Sequence, residues 1–137
     1  MPIQLIIPPD LIEEMRTHVQ RCLPEEGCGL LGGNGDLVKS VIPVTNELHS
    51  PVRFMMAPEE QLKAFMWLEE HTLDMLGYYH SHPAGPAHLS ETDLAQFSYP
   101  GVVLVLLSHK NLKWDIKGFI IKENTIKEIH IEQSPSK

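Results

Sequence analysis

The sequence predicts a mixed α+β fold, a mainly antiparallel sheet flanked by two longer helices and one short helix that carries part of a metal site. Three observations carry this. Apolar residues recur at helical spacing over residues 11–22 and again over 62–68, and alternating, strand-like segments separated by turn residues fill most of the remainder. Residues 102–107, Val-Val-Leu-Val-Leu-Leu, form an unbroken apolar run between Pro100-Gly101 and Ser108-His109-Lys110, the pattern of a central strand buried on both faces. A chain of 137 residues buries roughly two-thirds of its unfolded surface, so one domain over residues 1–133 with a tail at 134–137 is expected.

Taken in order, Ile3 to Ile7 reads as a short edge strand that Pro8-Pro9 stops. Asp10 stands as a helix N-cap with Glu13 three residues on, so that side-chain oxygens meet otherwise unpartnered backbone N–H groups. Leu11, Met15, Val19 and Cys22 form one apolar stripe, and Pro24 ends that helix near Leu23. An acidic pair, Glu25-Glu26, then runs directly into the Gly-spaced apolar segment Gly27 to Gly33; glycines in a strand mark close approach of backbone or ligand. Asn34-Gly35 is a hairpin turn joining this strand to Leu37–Val44, whose Val38, Ser40, Ile42 and Val44 are expected on one apolar face. Thr45 to Pro51 is a polar loop, and Val52 to Met56 a short strand. Ala57-Pro58-Glu59-Glu60 opens the second long helix, with proline in the first turn and acids at the positive end of its dipole; it runs to about His71, and its Phe65-Met66-Trp67 stripe is expected in the core. Met75 to His82 is the next strand, Pro83 to Leu89 a Pro- and Gly-rich loop, and Ser90 to Phe97 a short helix. Lys113–Ile121 and Ile126–Glu132 alternate and complete the sheet as a meander.

Composition narrows the function classes. With 42% hydrophobic and 21% charged residues the chain is neither disordered nor membrane-embedded. A formal net charge of −7 without a Lys/Arg run excludes a phosphate-tracking surface, so no nucleic acid and no membrane is expected as a partner. Met1 to Ile7 has neither a basic segment nor a long apolar one, which makes the cytoplasm the expected location. Cys22 and Cys28 form no C-x-x-C pair and read as buried thiols in a reducing compartment.

The chemistry concentrates at Gly77-Tyr78-Tyr79-His80-Ser81-His82-Pro83 and Ser90-Glu91-Thr92-Asp93. Residues i and i+2 of a strand share a face, so His80 and His82 present their imidazoles side by side while Ser81 points away. Asp93, in the first turn of a helix that the loop folds back, can add a hard oxygen ligand. Three such ligands leave one position open, the arrangement of a catalytic rather than a structural zinc. Ser90-x-x-Asp93 is equally close to a capping box, which would by itself explain both residues. A hydrolytic metal also needs a carboxylate off the metal as its base, and the Glu25-Glu26 pair is the one ordered place that offers it. The Ser90 hydroxyl can donate to the oxygen that gains charge in a tetrahedral intermediate. His88 could compete as a ligand from the loop, whereas His18, His49, His71, His109 and His130 lack ligand spacing.

His-x-His-x7-Ser-x-x-Asp, with an upstream Pro-Glu-Glu-x-x-Gly-Leu-Leu-Gly, resembles the JAMM (JAB1/MPN+/Mov34) zinc metallopeptidases over nearly the whole chain. The resemblance implies a JAB/MPN domain of cytidine-deaminase-like fold. It also implies Zn2+ as cofactor, His80, His82 and Asp93 as its ligands, Glu26 as general base and Ser90 as the oxyanion-stabilising hydroxyl. Glu26 matches because the family's glutamate lies directly before the Gly-containing strand. The implied activity is hydrolysis of a peptide or isopeptide bond after the C-terminal Gly-Gly of a ubiquitin-like or sulfur-carrier protein, the partner expected here; a homodimer is compatible with it. Thr45 to Pro51 is brief and Ser108 to Leu112 is a tight turn where eukaryotic members carry insertions, so the chain looks like the compact prokaryotic members, some of which release cysteine from a carrier's C-terminus. Two readings compete: a catalytically silent MPN scaffold, against which the intact ligand set argues, and a non-haem iron enzyme using the same His/His/Asp set.

Overall fold

The computed structural model describes residues 4–90, 93, 101–123 and 125–133. Its elements are β1 (Gln4–Ile6), α1 (Pro9–Cys22), β2 (Cys28–Asn34), β3 (Leu37–Val44), α2 (Pro58–Glu70), β4 (Asp74–His82), β5 (Val103–Lys110), β6 (Lys113–Lys122) and β7 (Thr125–Glu132). The strands close on themselves in the order β1-β3-β2-β4-β5-β6-β7. The expected flanked sheet is thus a barrel, and β1 is not an edge: it pairs in parallel with β7 on one side and meets β3 at Ile6–Leu37 on the other. The remaining neighbours are antiparallel except β4 and β5, which run parallel from Gly77–Val103 to His82–Ser108. That parallel pair requires a crossover, and residues 83–102, which include Ser90 and Asp93, supply it.

β5 is buried on both faces as its apolar run predicts. Val103, Val105 and Leu107 pack with Leu11, Ile12, Met15 and Val19 of α1, whereas Leu104 and Leu106 pack on the opposite face with Phe54, Met56, Ala64 and Tyr78. β4 alternates likewise, Tyr79 toward α1 and Tyr78 away from it. The Tyr79 hydroxyl lies 2.7 Å from His18 Nδ1, which ties α1 to this strand. Both cysteines are free, with Cys28 buried and Cys22 partly so. Among the described residues no helix is long and apolar enough to cross a membrane.

Several local expectations change. Helix α1 begins at Pro9 with Pro8 as N-cap and no side-chain cap bond, so Asp10 lies within the first turn, where its charge faces the helix dipole, and not at the cap. The pairing of β2 with β3 shifts register between Gly32 and Gly33, passing from Gly32–Ser40 to Gly33–Val38. This bulge at Lys39 reverses the parity of β3: Val38 and Val41 join the α1-side core, and Ile42 and Val44 the other. Val52–Met56 is not a strand, since only Met56 makes a bridge, to Asn46. Buried Asn46 organises that segment, its Oδ1 accepting from the Leu48 and Met55 N–H groups and its Nδ2 donating to the Arg53 carbonyl. The Phe65-Met66-Trp67 stripe is exposed, with Met66 at 53% and Leu62 at 59%; α2 instead buries Ala64 and Leu68 against the sheet. The short helix expected over 90–97 lies outside the described residues apart from Ser90 and Asp93, as do the 134–137 tail and Ile3 of the first strand.

Candidate functional site

The carboxyl end of β4 places His80 and His82 on the face away from α1, both buried, their rings 5.0 Å apart edge to face. The His80 ring stacks on Phe54 at 4.7 Å, so the 46–56 segment holds one imidazole while the crossover holds the other. His82 Nδ1 lies 2.8 Å from the Pro86 carbonyl, which only accepts; Nδ1 therefore carries a proton, and Nε2 is the ring atom that faces the site.

Ser90 and Asp93 form a reciprocal capping box: Ser90 N–H donates to Asp93 Oδ2 at 2.8 Å and Asp93 N–H donates to Ser90 Oγ at 3.0 Å. The same Oδ2 lies 3.2 Å from His80 Nε2 and 3.0 Å from His82 Nε2. Capping thus fixes the Asp93 carboxylate at the point where the two imidazoles converge.

Glu26 reaches this group from the start of β2 and is 3% exposed, whereas Glu25 is half-buried and pairs at 3.1 Å with exposed His49. One donor atom from each of Glu26, His80, His82 and Asp93 lies within 4.8 Å of the others, and all four residues are buried. Glu26 Oε1 is buried without a hydrogen-bond partner among the described residues. Two carboxylates and two imidazoles in so small a buried volume, with one oxygen unpartnered, fit a divalent cation, and the mixed nitrogen and oxygen donors suit zinc. His88 is exposed with Nδ1 near its neighbour's carbonyl, and it does not belong to the group.

Burial raises the Glu26 carboxyl to about 8; the His82 imidazole draws it down and the Asp93 carboxylate pushes it up. Burial also disfavours an ionised Asp93, but hydrogen bonds from His80 and His82 and from Ser90 N–H outweigh it and hold that carboxyl well below its ordinary range. Burial lowers His80 despite Asp93, whereas in His82 the contacts with Asp93 and Pro86 overcome burial and raise it. A carboxyl raised on folding contributes stability that is complete below its ordinary value of 4.5 and is lost as pH rises through about 8. Glu26→Gln, which is neutral throughout, should therefore melt close to the wild type at the acid end of that window and progressively above it toward pH 8 when both are metal-free. Thermal midpoints measured by calorimetry in chelator test this, and a gap independent of pH would refute the buried, unpaired state of Glu26.

Sequence reasoning missed the residues that hold Glu26 in place. Glu26 N–H donates to the Ser50 carbonyl at 2.8 Å, Asn46 Nδ2 donates to the Glu26 carbonyl at 3.1 Å, and Gly27 N–H donates to Ser81 Oγ at 2.7 Å. Only the position of Ser81 between the two histidines was visible beforehand; Asn46 and Ser50 sit in a loop whose path depends on long-range bonds.

The family described as prokaryotic homologues of the JAB domain matches residues 8–117. The chain is similar to the probable TtuB-protein conjugate cleaving protease of Thermus thermophilus, 42% identical over 72% of this chain and 68% of that one. It is similar to the CysO-cysteine peptidase of Mycobacterium tuberculosis, 32% identical over 90% of this chain and 87% of that one. Among solved structures, a protein from Desulfitobacterium hafniense superposes with a TM-score of 0.87 at 36% identity, covering 96% of this chain and 94% of that one. The match spans α1, the Glu26 turn and the His80–Asp93 crossover together, so the chain belongs to the prokaryotic JAB-domain family and is a peptidase of the JAMM type.

Proposed function

We propose that this chain hydrolyses the peptide or isopeptide bond after the C-terminal Gly-Gly of a ubiquitin-like or sulfur-carrier protein in the cytoplasm. Zinc would be held by His80, His82 and Asp93, with Glu26 as general base and Ser90 as oxyanion donor. The observation that carries this reading is the buried Glu26 carboxylate grouped within 4.8 Å of both imidazoles and Asp93. The substrate class rests on the relatives, one named for cleaving TtuB-protein conjugates and one for a CysO-cysteine bond.

Bound zinc would polarise the scissile carbonyl and acidify a water molecule. Glu26, buried beside His82 and Asp93 and outside the proposed ligand set, would accept the proton of the attacking water and return it to the departing amine. The Ser90 Oγ accepts from Asp93 N–H, which leaves its own proton free to donate to the carbonyl oxygen as negative charge builds there, worth about 3 kcal/mol for one such donor. His82, oriented by the Pro86 carbonyl, keeps its Nε2 directed into the site.

The test incubates zinc-loaded protein with a ubiquitin-like carrier whose Gly-Gly end is extended by cysteine, and separately with the same end joined to a lysine side chain. Mass spectrometry should find the carrier ending in Gly-Gly in at least one case, and metal analysis about one zinc per chain. Cleavage that a strong chelator leaves unchanged, or intact substrate in both arms, would overturn the reading; bound iron in place of zinc would favour the alternative use of the donor set.

A further inference from the structure

We propose that Ser81, the residue between the two histidines, is a positioning residue that sets where the Glu26 carboxylate stands in the site. The inference rests on the role of Glu26 proposed above. β2 and β4 pair antiparallel as far as Cys28–His80, and the next rung would join Gly27 to Ser81. Ser81 N–H does donate to the Gly27 carbonyl at 3.0 Å. A continued ladder would return this bond from Gly27 N–H to the Ser81 carbonyl, but the bond goes to the Ser81 hydroxyl oxygen at 2.7 Å. The side chain thus replaces the backbone as acceptor at the rung where the chain leaves the strand, one residue from Glu26.

Gly27 cannot settle elsewhere without cost. A Cβ there would lie 3.0 Å from Val19 Cγ1 and 3.2 Å from Cys22 Sγ, so α1 closes off one side of this residue, and the Ser81 hydroxyl spaces it from β4 on the other. Ser81 is fully buried, and no solvent can take over as acceptor if the hydroxyl is removed. On the opposite side Ser50 and Asn46 hold the Glu26 N–H and carbonyl. Of these holds, Ser81 is the one built into the strand that carries the histidines. Alternation divides the work of three consecutive residues: His80 and His82 face the metal group, and Ser81, on the α1 side, fixes the base that serves it. One rigid strand end therefore sets the distance between ligands and base.

The experiment compares wild type, Ser81→Ala, Glu26→Gln and the double variant, all zinc-loaded, by crystal structure, metal content and steady-state kinetics on the Gly-Gly-extended carrier. Ser81→Ala should keep its metal content and KM, shift the Glu26 carboxylate away from His82 and Asp93, and lose on the order of 10- to 100-fold in kcat, the cost of a misplacement near 1 Å. In the Glu26→Gln background the same substitution should change residual turnover by less than about twofold, because it acts through the group already removed. A Ser81→Ala crystal structure with the Glu26 carboxylate unmoved would overturn the proposal, as would an equal loss in both backgrounds. If wild type cleaves neither carrier, the functional reading fails while the crystal structures still decide the positioning role.

Discussion

Glu26→Gln lowers kcat by about 10²- to 10⁴-fold, the range removed with a positioned acid–base group, and leaves metal content near one ion per chain. The substitution keeps the size and shape of a side chain that is 3% exposed, so the packing beside His82 and Asp93 survives. It removes the only property that the proposed mechanism uses, the ability to take up and return a proton. Glu25→Gln is the internal control. Its half-buried side chain pairs at the surface with an exposed histidine, a contact worth under about 1 kcal/mol, and kcat should stay within about twofold of wild type. Kinetics on the Gly-Gly-extended carrier, with metal content measured on the same samples, separates the two. Full activity in Glu26→Gln would remove the base assignment and leave the donor group standing; loss in Glu25→Gln alone would move the role one residue back.

The contrast between these adjacent glutamates shows what local sequence can and cannot resolve. Both precede the same Gly-rich strand and both are chemically competent; their fates diverge because Asn46 and Ser50 of one loop and Ser81 of β4 fix the backbone around Glu26 from two distant segments. The histidine pair was legible because strand alternation is local and rigid. Ser90 and Asp93 were legible as either a cap or a ligand, and the two readings are compatible, since the carboxylate oxygen that caps also lies beside both imidazoles. β5 could be read as doubly buried from its run of six apolar residues alone. The parity of β3 could not, because the Lys39 bulge arises from pairing with β2 and not from any residue that demands it. Nor could closure of the sheet, which depends on β1 finding β7 at the far end of the chain. The Phe65-Met66-Trp67 stripe failed for a different reason. Helical periodicity identifies residues that share a face but not whether a second layer covers that face, and α2 turns its small Ala64, with Leu68, to the sheet.

Asp93→Asn should have the largest effect on the metal itself. Asparagine preserves the shape of the side chain, and its Oδ1 can still accept from Ser90 N–H, so the turn that begins with the Ser90 cap keeps its closure. What is lost is the negative charge. The Asp93 carboxyl is held well below its ordinary range by His80 and His82, and it is the anionic member of the proposed ligand set. Without it, two neutral imidazoles face a cation with a single formal charge nearby, on Glu26, whose own carboxyl is raised by burial. Metal content should fall well below one ion per chain after dialysis against a weak chelator. Turnover should fall on the order of 10³-fold, several kcal/mol of barrier at about 1.4 kcal/mol per decade. The decisive comparison is with Glu26→Gln under the same dialysis: the two variants should be alike in lost turnover and opposite in retained metal. Asp93→Asn that keeps its full complement of zinc would reduce the carboxylate to a cap and place the third ligand elsewhere. Glu26→Gln that loses the ion would identify Glu26 as that ligand, a reversal of roles that the 4.8 Å grouping of all four donors makes directly measurable.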